Sequence, residues 1–161
     1  MAVGIEVDAD GAARKLTALP DKVRADVRQV VQAGALKLLA KVQQKVSGDV
    51  LQVRSGALLN SLRATGPSDS GDTIRGGVAI DDAIKYARIQ EYGGRIEIPA
   101  IVPVNARALA FAYGGKLVFA MKTAAHMIEI PEHSFLRSSL AEIGPDILDD
   151  IRKVVAEAAN G

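Results

Sequence analysis

From Leu19 to Val46 the apolar residues recur at steps of three and four: Leu19, Val23, Val27, Val30, Val31, Gly34, Leu38, Val42 and Val46. That spacing predicts a long amphipathic helix whose stripe faces a core or a partner. Pro20 fits a helix start, where its missing N–H has no intrahelical partner anyway, and Ser47-Gly48-Asp49 ends the run. Gly34 inside it costs about 1 kcal/mol relative to Ala, which predicts close approach of another backbone there. A shorter helix fits Ser55–Ala64, with Ser55 as N-cap and Leu58, Leu59 and Leu62 buried. The turn formers of Gly66–Asp72 predict a loop, and the alternation of Thr73–Ile80 a strand.

Beyond Ile80 the texture shortens. Ile84–Tyr92 fits one or two helical turns capped by Gly93-Gly94. Arg95–Val102, Ala108–Tyr113, Leu117–Met121 and His126–Ile130 are candidate strands, with Gly114-Gly115-Lys116 closing a hairpin between the second and third. A last helix runs from Ser134 to about Ala159, kinked or split at Pro145, with Phe135 and Leu136 as core anchors. The elements sum to an α+β fold: a small, mostly antiparallel sheet packed by a long N-terminal helix, a short second helix and a C-terminal helix. The expected organisation is one domain over 1–161, with a β-hairpin insert at about 95–130.

At 161 residues the chain is long enough to bury a core without staples. It has no cysteine, which excludes disulfides, thiolate metal sites and a Cys nucleophile. No secretory signal and no membrane span are expected, since no apolar run approaches 18 residues. The net charge of +1 conceals an uneven distribution: −3 over residues 1–13, +6 over 14–45, −2 over 46–83, +3 over 84–140 and −3 over 141–161. Patches of both signs suit a protein that meets copies of itself or a charged neighbour, although a charge run is also what a solvated helix face looks like.

Catalytic chemistry is hard to assemble from these residues. His126 and His133 are seven apart across Pro131, which breaks the one-face spacing that a helical His-Glu-x-x-His metal site needs. Gly93-Gly94-Arg95 and Gly114-Gly115-Lys116 lack the earlier glycine and following Ser/Thr of a phosphate loop. Asp81-Asp82 and Asp149-Asp150 are sequence neighbours that point apart in a regular element. No Gly-x-Ser-x-Gly elbow is present, so no catalytic residue, cofactor site or metal site is assigned. The basic 14–45 run permits a nucleic-acid-binding alternative, but the three Phe and three Tyr are not interleaved with it to form a stacking platform.

Three segments in order resemble a family, the tail-component (tail-completion, tail-terminator) proteins of long-tailed bacteriophages. Val53-Arg54-Ser55-Gly56-Ala57-Leu58-Leu59-Asn60-Ser61-Leu62 is similar to its T-G-x-L-x-x-S-I helix entry. Tyr86-Ala87-Arg88-Ile89-Gln90-Glu91-Tyr92-Gly93 resembles Y-A-x-x-x-E-F-G, and Ile130–Leu140 resembles P-x-R-P-F-L-x-x-A-L. In the third, His133 and Ser134 stand where Arg and Pro are usual, so no role tied to that arginine carries over. Between them, Ile98-Pro99-Ala100, Ala108–Phe111 and Gly115–Ala120 resemble the strand-and-hairpin insert of the virion-morphogenesis branch.

The resemblance implies a non-catalytic virion protein at the head–tail junction that caps the tail tube and joins it to the head connector. Its implied partners are copies of itself in a ring, commonly hexameric, the tail tube protein and the connector or neck protein. It implies no cofactor, no membrane and no specific nucleic acid, with DNA passing through the ring. The implied location is the virion tail or neck, with the host cytoplasm during assembly. Candidate interface residues are Lys37, Lys41, Lys45, Arg54, Tyr86, Arg88, Glu91, Tyr92, Arg95, Arg107, Lys116, Asp149 and Asp150. The basic first helix could meet the acidic last helix across a subunit boundary or within one subunit. Tyr86, Glu91 and Tyr92 are expected to shape the structure the ring uses, with Tyr86 and Tyr92 as core residues the other reading. The 66–72 loop and the 95–127 insert are the candidates for reaching a neighbouring ring or the tube.

Overall fold

Helix α1 (Asp21–Gln44) buries Val23, Val27, Val31, Gly34, Ala35, Leu38 and Val42, the stripe its sequence spacing predicts. In the computed structural model, which describes residues 2–6, 21–51, 56–70 and 73–160, this stripe is the spine of the fold. One flank lies on a three-stranded antiparallel sheet and the other on the last helix, α4 (Leu136–Asn160). The sheet has the order β1 (Ala2–Glu6), β3 (Thr73–Ile80), β2 (Leu62–Ser70). Beyond Gln44 the backbone widens into a π turn over Lys45–Asp49, where Gly48 leaves helical geometry and the Val50 and Leu51 N–H groups both reach the Lys45 carbonyl.

Two expectations about strands change here. The short helix α2 covers only Ala57–Ser61, and Leu62 is already extended. Residues 62–64 and the greater part of the expected 66–72 loop form β2, paired with β3 from Leu62↔Ile80 to Ser70↔Thr73, while residues 71 and 72 lie outside the described residues. The register breaks between Thr65 and Ser68, a bulge that places Gly66-Pro67 out of the ladder on an edge strand. An edge bulge is where a sheet accepts a proline that cannot donate, so turn-forming residues occur here inside a strand. β1, which no local pattern signalled, pairs Ala2↔Ala79 to Glu6↔Arg75 on the other side of β3. Ser55, the expected N-cap of the second helix, lies outside the described residues, as do Leu19 and Pro20.

The central core joins Leu38, Val42 and Val46 to Leu58, Leu62, Val78, Ile80, Ala87, Phe135, Leu136 and Ile147. A smaller cluster of Val23, Val27, Val31 and Ile74 is closed by Val154. Gly34 does admit a close neighbour, but it is a side chain rather than a backbone: an added Cβ would stand 3.1 Å from Ile147 Cδ1. α4 runs through Pro145 without splitting, with Leu136 and Leu140 before the proline and Ile147 and Ile151 after it packed into one core. Burial on both sides offsets the lost hydrogen bond. No helix of the described residues is long and apolar enough to cross a membrane.

Residues 86–130 add helix α3 (Tyr86–Tyr92) and two antiparallel pairs instead of extending the main sheet. β4 (Gly94–Ile98) pairs with β7 (His126–Ile130), and β5 (Leu109–Tyr113) with β6 (Lys116–Ala120). Between the pairs, the Thr123 N–H donates to the Ile101 carbonyl at 2.9 Å and the Ile101 N–H to Thr123 Oγ1 at 3.1 Å. These bonds link the two pairs across the irregular stretches 99–108 and 121–125, so residues 94–130 form a two-part ribbon. Its tip is Gly114-Gly115, with φ of 57° and 76°, the doubly positive pair of a tight hairpin whose twist matches its strands.

Candidate assembly surface

The best-organised polar group of the molecule is Glu91 near the end of α3. Its side chain is fully buried, and five donors converge on it. The Phe135 and Leu136 N–H groups donate to Oε2 at 2.8 and 2.9 Å. The Arg137 N–H, Ser134 Oγ and Arg137 Nε reach Oε1 at 2.9, 3.0 and 3.2 Å. Three of these are the unpaired N–H groups that begin α4, so Glu91 caps a helix 44 to 46 residues away with a full negative charge at the positive end of its dipole. Burial pushes the carboxyl's pKa up, yet the hydrogen bonds from Leu136, Arg137, Phe135 and Ser134 outweigh it and hold the group below its ordinary value.

Arg137 completes the clamp from outside. Its Nη2 donates to the Glu91 carbonyl at 3.2 Å and to Glu132 Oε1 at 2.6 Å, and its guanidinium lies 4.5 Å from the Tyr92 ring centre. The His133 N–H donates to the Gln90 carbonyl at 2.8 Å. Gly93 lets the two chain segments touch: with φ of 65°, a Cβ there would stand 2.8 Å from the Glu132 N and 2.9 Å from the Ile130 O. The stretches 86–93 and 130–140 thus meet through Glu91, while Leu58 and Leu62 of 53–62 share a core with Ala87, Phe135 and Leu136. Phe135 and Leu136 are the core anchors expected of them, whereas Tyr86 and Tyr92 are half-exposed and not core residues.

The opposite charges of the first and last helices meet within one chain. Lys37 Nζ lies 3.1 Å from Asp150 Oδ2, Lys41 Nζ 2.9 Å from Glu142 Oε2, and the nearly buried Lys45 Nζ 2.5 Å from Glu142 Oε1 and 2.7 Å from Ser138 Oγ. Hydrogen bonds from Lys45 and Lys41 lower the Glu142 pKa, and those from Lys37 lower that of Asp150. Of the two arrangements open in the sequence, the structure holds the intramolecular one. Arg24 and Arg28 likewise turn to Asp69 of β2.

The remaining candidates are scattered over the outer surface. Arg88 is exposed on α3, Arg95 faces Glu129 across the ribbon at 3.9 Å, Arg107 lies in the ribbon's irregular middle and Lys116 at its tip. Asp149 pairs with Arg152 one helical turn on, and Arg54 lies outside the described residues. Large apolar side chains concentrate on the ribbon, where Val104, Tyr113, Leu117, Phe119 and Met121 are exposed. Composition could not locate that surface, because exposure depends on the ribbon leaving the main sheet. Among the described residues no group of three or more His, Asp or Glu could hold a metal ion; His126 Nδ1 lies 3.2 Å from the Ala124 carbonyl oxygen.

A small α+β core, tied together by its own charges and carrying a projecting ribbon with apolar side chains in solvent, defines a structural module built for contact with other proteins. A family model described as "Bacteriophage HK97-gp10, putative tail-component" matches residues 10–93, just over half of the chain. The chain belongs to this HK97-gp10-like family and is a structural component of a phage tail. No curated protein and no solved structure matches it. The family match ends at Gly93, where the ribbon begins.

Proposed function

We propose that the protein caps the end of the phage tail tube as a closed ring, commonly hexameric in proteins it resembles, and joins the tube to the head connector or neck. The observation that carries this reading is the match to a phage tail-component family over residues 10–93, on a fold whose unpartnered apolar surface sits on a projecting arm. A ring needs two different patches per subunit, and a fixed core with a protruding ribbon offers two. The role asks for no turnover. DNA passing through the ring's centre needs no sequence-reading site, and five of the eight cations of the basic 14–45 run are paired with acids of the same chain: Arg24 and Arg28 with Asp69, Lys37 with Asp150, Lys41 and Lys45 with Glu142.

Light scattering after size exclusion, negative-stain images of the same fractions and immunolabelling of whole particles test the reading together. The expected result is a closed ring of fixed stoichiometry and label at the head-proximal end of the tail; in a deletion of the gene, heads and tails remain unjoined. Particles that lack the protein, or that join normally without it, would overturn the proposal.

A further inference from the structure

The ribbon changes register in its middle. The β4–β7 ladder pairs Ile98 with His126, and the same register carries on to Ile101 and Thr123, which still exchange hydrogen bonds. The β5–β6 ladder begins at Leu109↔Ala120. Ile101 to Leu109 is eight steps along the chain and Ala120 to Thr123 only three, so one side of the ribbon carries five residues that the other cannot match.

The cause lies in the sequence. In an antiparallel ladder the residues that exchange hydrogen bonds recur at every second position, so the rungs on either side of Ile101 would fall at 99 and 103. Both are proline, which has no N–H to donate. Even the Ile101–Thr123 rung is not a full backbone pair: the Thr123 N–H donates to the Ile101 carbonyl at 2.9 Å, but the Ile101 N–H donates to the Thr123 hydroxyl at 3.1 Å. Among the described residues these two bonds alone join 99–108 to 121–125.

The core does not hold the outer pair either. No residue of 94–130 belongs to either core cluster, and Val104, on the longer side of the ribbon's middle, is 90% exposed. A two-stranded pair without a core behind it keeps its own ladder but has nothing to fix its angle to the rest of the chain.

We infer that β5–β6 is an arm that swings as a unit on β4–β7, with Met121-Lys122 as the pivot, Val102–Ala108 as the slack side and the Thr123 hydroxyl as the latch that limits the swing. Hinges of this kind are a few residues between elements that absorb the change in φ and ψ. Five residues at about 3.3 Å each make a lever of about 17 Å, so a swing of about 20° moves the tip by about 6 Å. The exposed Leu117 and Phe119 are thus carried at an angle that the core does not set. The inference goes beyond the tail-capping reading and does not depend on it.

The absence of native cysteine allows spin labels to be placed in pairs on the full-length protein. Leu148→Cys on α4 is the fixed point, combined with Lys116→Cys at the tip or with Glu129→Cys on β7. The labelled chain is diluted into unlabelled protein so that distances are read within one subunit. Double electron–electron resonance should give a tip distribution at least about twofold wider than the β7 distribution. Thr123→Val, which removes the latch oxygen, should widen the tip distribution further and leave the β7 distribution and the melting temperature unchanged. Thr123→Ser, which keeps the hydroxyl, should have the native width. A tip distribution as narrow as that of β7 would overturn the inference, and so would a Thr123→Val distribution no wider than that of Thr123→Ser. Either result would leave the tail role standing.

Discussion

Replacing Glu91 tests the claim that one buried carboxylate holds the α3 end to the start of α4. Glu91→Ala leaves the buried Phe135 and Leu136 N–H groups without their acceptor, each at about 1–3 kcal/mol, while Arg137 and Ser134, nearer the surface, can turn to water. Two such groups, with a small cavity added and the desolvation cost the carboxylate no longer bears subtracted, set the expected loss at about 3–5 kcal/mol. A domain of this size loses roughly 2–4 °C per kcal/mol, so the melting midpoint should drop by about 10 °C, and urea titration should show a lower midpoint with an unchanged slope. Glu91→Gln separates charge from shape: it keeps the volume but turns an amide N–H₂ toward donors.

The pH dependence follows in sign. The folded-state pKa of Glu91 lies below its unfolded value of about 4.3, so its contribution is complete above that value and is lost as pH falls through the folded pKa. Relative to Glu91→Gln, the native protein should therefore lose part of its advantage below about pH 4. A loss under about 1 kcal/mol for Glu91→Ala, together with an unchanged acid limb in Glu91→Gln, would refute the capping role.

Gly93→Ala should cost at least about 2 kcal/mol by chemical denaturation, because a Cβ at φ of 65° meets the backbone of Ile130 and Glu132 and has no flexible neighbour to displace. Gly76→Ala should cost about 1–3 kcal/mol in the same assay, its Cβ falling 2.6 Å from Val31 Cγ1 across the α1–sheet contact. Gly34→Ala, which gains about 1 kcal/mol of helix propensity and meets only the Ile147 side chain at 3.1–3.3 Å, should stay within about 1 kcal/mol of the parent. Lys45→Ala should lower stability by about 1–2 kcal/mol through lost packing and loss of the Ser138 and Glu142 contacts, measurable as a drop in urea midpoint.

The sequence by itself determined the elements whose signal is local. The three- and four-residue spacing of α1, the apolar side of α4, the alternation of β3 and the Gly114-Gly115 hairpin all follow from bonds made within a few residues. Glu91 stood out in the sequence as part of Tyr86–Gly93, but nothing nearby shows that its partners are three backbone N–H groups at 135, 136 and 137. Only the tertiary structure decided that the Gly66-Pro67 turn formers sit in a bulge of β2, and that residues 2–6 add a strand beside β3. It alone turned Lys37, Lys41 and Lys45 inward to α4 and carried the strands of 94–130 away from the main sheet as a ribbon. Strand pairing, helix caps supplied from a distance and ion pairs between helices are contacts between remote residues, whose energy depends on which surfaces the fold brings together.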